Sequence, residues 1–118
     1  MIFSIADHIE QIKNGDKTQT RRKSSSYLIG KMYSVQPCRT CKGIPEGRIL
    51  IIEKRIEMKP WWEGITYEDA KAEGGYTPND FDSLYEKMYR GWRTRYAYTF
   101  KFIPSSQNAD KYKESERL

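Results

Sequence analysis

The sequence predicts an α+β domain, a small β-barrel flanked by short helices. Two observations carry this. Segments with β character lie at both ends of the chain, far apart in sequence, and short helical segments divide the strands between them. The last strand is therefore expected to pair near the first or second and close the sheet. A third observation sets the boundary: residues 104–118 are almost devoid of apolar side chains and read as a disordered polar tail, which leaves 1–103 as the single domain.

The elements follow in order. Ile2-Phe3-Ser4 reads as a short first strand. Asp7 is a plausible N-cap for a helix running to about Asn14, on which Ile5, Ile9 and Ile12 recur at helical spacing. Gly15 ends that helix, since glycine takes the left-handed C-cap conformation without a Cβ penalty. Lys31 to Gln36 reads as a strand stopped by Pro37, and Gly47 to about Met58 as a long β-rich one. Pro37 to Glu46, with Gly43 and Pro45, connects them as a long hairpin loop.

Pro60-Trp61-Trp62 interrupts the β pattern. Thr66 with Asp69 three residues on resembles a capping box, and the helix it starts should end at Gly74-Gly75. Thr77-Pro78 starts another helix, with a Thr cap and proline in the first turn. Phe81, Leu84, Tyr85 and Met88 give that helix an apolar stripe. Tyr96, Tyr98, Phe100 and Phe102 then alternate with polar or small residues, the period of a half-buried final strand.

The chemistry concentrates in Gly15-Asp16-Lys17-Thr18-Gln19-Thr20-Arg21-Arg22, followed by Lys23. In an extended chain Thr18, Thr20 and Arg22 face one way, and Lys17, Gln19 and Arg21 the other. Arg21 and Arg22 thus cannot hold the same anion, and one of them is expected to pair with an acidic residue such as Glu68, Asp69 or Glu73. A short platform of cations and hydroxyls fits an anionic ligand, above all phosphate on RNA or a nucleotide. The alternative is that Lys17 and Thr20 simply organise the turn.

The pattern Gly-x-Lys-x-x-x-Arg, read as Gly15, Lys17 and Arg21, resembles the signature of the ASCH domain, a small PUA-like β-barrel family. Met32-Tyr33-Ser34-Val35-Gln36-Pro37 followed by Gly47-Arg48-Ile49 resembles its two central strands, and Asp69-Ala70-Lys71-Ala72-Glu73-Gly74 its acidic helix-turn. The resemblance covers roughly residues 2–103 and implies an RNA- or nucleotide-binding domain with a basic cleft, which Lys17, Arg21, Arg22, Lys23 and Trp61 would line. Some ASCH-type proteins are similar to small amidohydrolases that deacetylate acetylated cytidine with a Lys, a Thr and a Glu. On that resemblance Lys17, Thr20 and Glu73 are the catalytic candidates, although either Glu73 or Gly74 can align with the acidic position. Ribonuclease activity is a further implication.

Thr20 as a nucleophile would need a base, and a lysine serves only if burial or nearby cations lower its pKa from about 10.4. Arg21, Arg22 and Lys23 are close enough in sequence to contribute. Of Trp61 and Trp62, adjacent in sequence, only one can be buried in an extended stretch, and the other is free to stack on a base; packing of both against helix ends is the favoured alternative. His8 is expected at the surface.

Cys38 and Cys41 form a CxxC pair, but a zinc site needs four ligands, and one histidine on a distant helix does not supply them. The pair reads as two free thiols in a loop; neither metal nor cofactor is expected.

Charge is unevenly spread. Residues 1–55 carry 11 Lys/Arg against 5 Asp/Glu, whereas residues 56–103 carry 7 against 8, which points to an oriented binding face rather than a uniformly basic surface. No apolar run approaches the roughly 20 residues of a membrane helix. The N-terminal residues lack a signal-peptide pattern, so a cytoplasmic protein without membrane partners is expected. The sequence sets no oligomeric state.

Overall fold

The computed structural model describes residues 1–57, 66–89 and 95–105. Trp61, Trp62 and most of the expected polar tail, from residue 106 onward, lie outside them. Among these residues, three helices and four strands follow one another: α1 (Ala6–Asn14), β1 (Gln19–Arg22), β2 (Met32–Ser34), β3 (Gly47–Glu57), α2 (Tyr67–Gly74), α3 (Pro78–Tyr89) and β4 (Arg95–Pro104). The strands form one antiparallel sheet in the order β1-β4-β3-β2.

The sheet is open, which corrects the expected barrel. β4 does reach back to the start of the chain and pairs with β1, from Gln19↔Thr99 to Arg22↔Tyr96. However, β1 and β2 remain edges, and four strands, two of them of only 4 and 3 residues, are too few to curl into a closed cylinder. The expected strand at Ile2–Ser4 contracts to a single parallel bridge, Ile2↔Gln36, with Phe3 buried in the core.

The long partners do most of the work. β3 and β4 pair from Gly47↔Pro104 to Glu57↔Arg95, with one irregularity between Ile51 and Glu53. The bulge leaves Ile52 without a partner and 51% exposed. On one face Ile49, Ile51, Tyr98 and Phe100 pack against Met1, Phe3, Ile12 and Val35, so α1 and the N-terminal segment cover this side. On the other, Ala70 and Phe81 form a second cluster beneath α2 and α3, joined by Tyr76. Among the described residues, α2 meets the sheet at β1, where Arg21 reaches Asp69.

The caps explain where the helices stand. Gly15 is left-handed at φ 87°, and its N–H closes onto Gln11 and Ile12. The N-cap of α1 is Ile5, not Asp7, and no side chain caps it; Asp7 instead lies in the first turn. Thr66 accepts a hydrogen bond from the Asp69 N–H, and Thr77 one from the Asp80 N–H, as their sequence signals require. Gly75 ends α2 at φ 78°.

The hairpin loop between β2 and β3 brings a second correction. Cys38 and Cys41 are joined in a disulfide and are not free thiols. The Cys41 N–H closes a turn onto the Cys38 carbonyl, and the Cα atoms come to 5.0 Å, inside the span a disulfide bridges. No helix among the described residues is long and apolar enough to cross a membrane.

Candidate functional site

The chain folds back on itself just after Gly15. The N–H groups of Asp16 and Lys17 both bond the Gln11 carbonyl, and Thr18 N–H bonds the Ala72 carbonyl of α2. β1 is thereby clamped between α1 and α2, and its side chains alternate. Gln19 and Arg21 face α2. Thr20 and Arg22 face Phe3: the Arg22 Nε donates to Thr20 Oγ1 at 3.2 Å, and its guanidinium lies 4.8 Å from the Phe3 ring centre.

A cavity of about 110 Å³ opens where these elements meet. Its apolar wall is Ile2, Phe3, Ile5, Phe81 and Leu84, and its polar wall is His8, Lys17, Thr20, Arg21, Arg22 and Glu73. Cavities that take whole drug-sized ligands run to roughly 300–1,000 Å³. This one is closer to the size of a hollow that holds a single aromatic ring.

Lys17 is the centre of the polar wall. It is only 2% exposed, and its Nζ donates to the Gln19 carbonyl at 2.8 Å and to the Glu73 carbonyl. The Glu73 carboxylate stands 4.0 Å away. Burial is the main cause that lowers the amine from its usual 10.5 to about 8; Glu73 opposes the shift, and Arg22 and Arg21 add to it. The ammonium is thus brought within reach of neutrality.

Glu73 is equally buried, at 2%. Its Oε2 lies 3.3 Å from Arg21 Nη1, an ion pair out of line for a hydrogen bond, and that oxygen takes no hydrogen bond among the described residues. Glu73 points into the cavity, whereas Gly74 sits at φ 145°, where a Cβ would come 2.8 Å from Gln11 Oε1 and 3.2 Å from His8 Nε2. The positive φ there is one that residues with a Cβ rarely adopt.

Arg21 is occupied by its neighbours. Its Nη2 lies 3.3 Å from Asp69 Oδ2, its guanidinium lies 5.6 Å from the Phe81 ring centre, and the side chain is fully buried. In the amide orientation that satisfies both ends of Gln19, the Gln19 oxygen accepts from Arg21 Nη1 at 2.7 Å and the nitrogen donates to Asp69 Oδ1 at 3.2 Å. Burial alone would raise the Asp69 carboxyl; Arg21 and Arg55, with Thr66, outweigh it and hold it below the usual range. The expected pairing of one arginine with the acidic helix is therefore made by Arg21, with Asp69 and Glu73. Arg21 fixes the cavity's shape, while Arg22, half-buried, stands at its mouth. Lys23 is exposed and outside the lining, and Trp61 falls outside the described residues.

Two features escaped the sequence reading. His8 is buried at 9%, not at the surface, and its Nε2 is hydrogen-bonded to Tyr76 Oη. Burial first, then Lys17 and Arg22, lower it to about 4, so it stays neutral. The signal was there: His8 falls between Ile5 and Ile12 at i+3 and i−4, on the same helical stripe. The second is Phe3, which lies within 6 Å of both the Lys17 amine and the Arg22 guanidinium (5.9 and 4.8 Å to the ring centre). Nothing in a lone early phenylalanine announces that role.

The sequence matches no family model and no curated protein. Solved structures do match. The ASCH domain from Lactobacillus crispatus superposes with a TM-score of 0.64 at 13% identity, over 80% of this chain and 69% of that one. The protein EF3133 from Enterococcus faecalis gives 0.60 at 13% identity, over 86% and 70%. The hypothetical protein PH0355 gives 0.64 at 15% identity, over 87% and 96%. The fold of this chain is ASCH-like, as the motif resemblance implied.

Proposed function

We propose that this protein binds RNA or a nucleotide by seating a base-sized group in the cavity between Lys17 and Glu73. The observation that carries the reading is a buried ammonium 4.0 Å from Glu73 Oε1, while the second oxygen, Oε2, faces Arg21 at 3.3 Å without taking a hydrogen bond among the described residues, both side chains lining one small hollow. Oε2 has an ion-pair partner in Arg21 but no aligned donor, so a ligand N–H that reaches it adds a hydrogen bond the protein does not make by itself. Lys17 and the Thr20 hydroxyl supply donors for a ring carbonyl or oxyanion, and Phe3 and Phe81 supply apolar surface for the ring faces. Arg22 at the mouth is placed for phosphate. The test is titration with the four ribonucleoside monophosphates and with short RNA at several salt concentrations. Binding that weakens with salt, and weakens further in Arg22→Ala, supports the reading; no binding to any of these ligands overturns it.

A second reading is favoured by the lowered Lys17 pKa. A neutral amine has two N–H bonds, and the Gln19 and Glu73 carbonyls accept both, which leaves a lone pair for the Thr20 proton. In an acetylated cytidine the Thr20 oxygen would attack the acetyl carbonyl while Lys17 takes its proton. Collapse of the adduct expels the cytosine amine, which regains a proton from Lys17, and water then hydrolyses the Thr20 ester to acetate. Such an amidohydrolase uses the same hollow with the same orientation of the base.

A further inference from the structure

The strand registers carry the site beyond the cavity. Arg22, Tyr96 and Ile56 are direct cross-strand neighbours on β1, β4 and β3, and Thr20, Tyr98 and Lys54 form the adjoining row on the same face. Cavity residues thus begin both rows: Thr20 and Arg22 line the hollow, and the strands continue outward from them. The inner row is sealed. Tyr98 is fully buried, and its hydroxyl donates to the Ser24 carbonyl while Tyr27 packs on its ring at 5.3 Å. The outer row is open: Ile56 is 63% exposed, and Tyr96 and Arg22 are half-buried.

Lys54 rises between the rows. Its ammonium lies 5.5 Å from the Tyr96 ring centre and 5.8 Å from that of Tyr98. It donates to the Ser25 carbonyl, and an ammonium has three donors. None of the six side chains in the two rows is acidic, and exposed Lys23 follows directly on Arg22. Three strands span roughly 10 Å. The result is an aromatic and aliphatic strip edged by cations, which starts at the mouth of the cavity.

We infer that this strip, Arg22–Tyr96–Ile56 with Lys54, is the track for a single-stranded RNA whose neighbouring base occupies the cavity. A base next to the seated one rests on Tyr96 and Ile56, and its phosphates meet Arg22 and Lys54. Stacking on a ring tolerates any base, and phosphate contact any sequence, so the strip adds affinity without adding sequence preference. It rests on the reading of the cavity as a nucleotide site, and gives the protein a reason to prefer a polymer over a free nucleotide.

The test compares a mixed-sequence ribohexanucleotide with nucleoside monophosphates by fluorescence anisotropy and competition. The hexanucleotide should bind at least tenfold more tightly than any monophosphate. Lys54→Glu and Tyr96→Leu should each weaken it by about tenfold while monophosphate binding holds. Lys54→Ala should lower the slope of log K against log salt by about 0.7. Ile56→Glu is a change at an exposed position that leaves the core intact, and should weaken the hexanucleotide as well. Equal affinity for monomer and hexamer, or variants that leave the hexamer unaffected, overturns the strip and leaves the cavity reading standing. Hexamer binding that depends on Lys54 and Ile56 but is not competed by any monophosphate supports the strip and removes the cavity reading. A hexanucleotide that does not bind at all removes the strip outright.

Discussion

Lys17 and Glu73 are 56 positions apart, yet the Lys17 amine donates to the backbone carbonyl of Glu73 while its carboxylate stands 4.0 Å away. The backbone contact fixes the end of α2 against the turn that follows α1. The side-chain contact is looser, which leaves the carboxylate and the amine both open to a third group in the hollow. One pair therefore joins the two segments through the main chain and lines the hollow with its side chains. Arg21 holds Glu73 from the other side, so the acid cannot swing away.

Arg21 carries the largest expected cost on substitution. Its side chain is fully buried between Asp69 and Glu73, each at 3.3 Å. Removing one partner of a buried pair strands the other charge, a loss of about 3–5 kcal/mol. Arg21→Ala should lower stability by that order in chemical denaturation. Arg55→Ala, which removes the outer contact to Asp69 at 3.3 Å from an exposed side chain, should cost less than about 1 kcal/mol.

The Lys17 amine sets an alkaline signature. Folding lowers its pKa from 10.5 to about 8, so between these values the unfolded chain holds a proton that the folded chain has released. Stability from this group therefore rises as pH increases from 8 to 10.5, and the cost of burying the ammonium is felt in full below about 8. The span corresponds to about 3 kcal/mol at one pKa unit per 1.36 kcal/mol. Thermal melts of the protein and of Lys17→Met across this range should diverge, the variant lacking the rise. Parallel curves would mean that the lysine titrates as if exposed.

His8 gives the acid counterpart. Its folded value of about 4 against an ordinary 6.5 means that the unfolded chain takes up a proton first as pH falls. Stability contributed here is complete above 6.5 and is lost down to about 4. The groups that face the ring are Tyr76, Lys17 and Arg22, and the two cations oppose its protonation. His8→Gln should remove part of the acid loss between pH 6.5 and 4 in melting curves. If the variant loses stability over the same range as the parent, the histidine is not the source.

Much of this architecture is legible in the chain because its signals are local. Gly15, Thr66, Thr77 and Gly75 each mark a helix end through a capping contact made by nearby residues, and the structure places each one there. Alternation along Gln19–Arg22 separates Arg21 from Arg22 in the same way, but Lys17 precedes the strand and lines the same cavity as Thr20 rather than the opposite face. What was not legible depends on closure at long range. Whether four strands complete a barrel is decided by edge pairing, which no local pattern encodes. The burial of His8 depends on Tyr76 arriving from 68 positions away. Cys38 and Cys41 pair because the loop turns tightly, while their spacing alone is shared by metal and thiol sites.

The last prediction concerns catalysis at this site. If acetylated cytidine is the substrate, Thr20→Ala should abolish turnover and leave cytidine binding nearly unchanged, because the hydroxyl forms its covalent bond only during the reaction. Lys17→Arg should be as damaging, since a guanidinium keeps the charge but cannot give up a proton near neutral pH. Activity of the parent should rise with pH through about 8, as the Lys17 amine loses its proton and can serve as the base. Glu73→Gln should reduce turnover by a large factor and also move that pH profile to lower values, because it removes the one neighbour that holds the amine's pKa up. The measurement is chromatographic release of cytidine from the purified protein over pH 6–10. Release no faster than in Thr20→Ala would leave the hollow as a binding site, with Thr20 a hydrogen-bonding partner of Arg22 and nothing more.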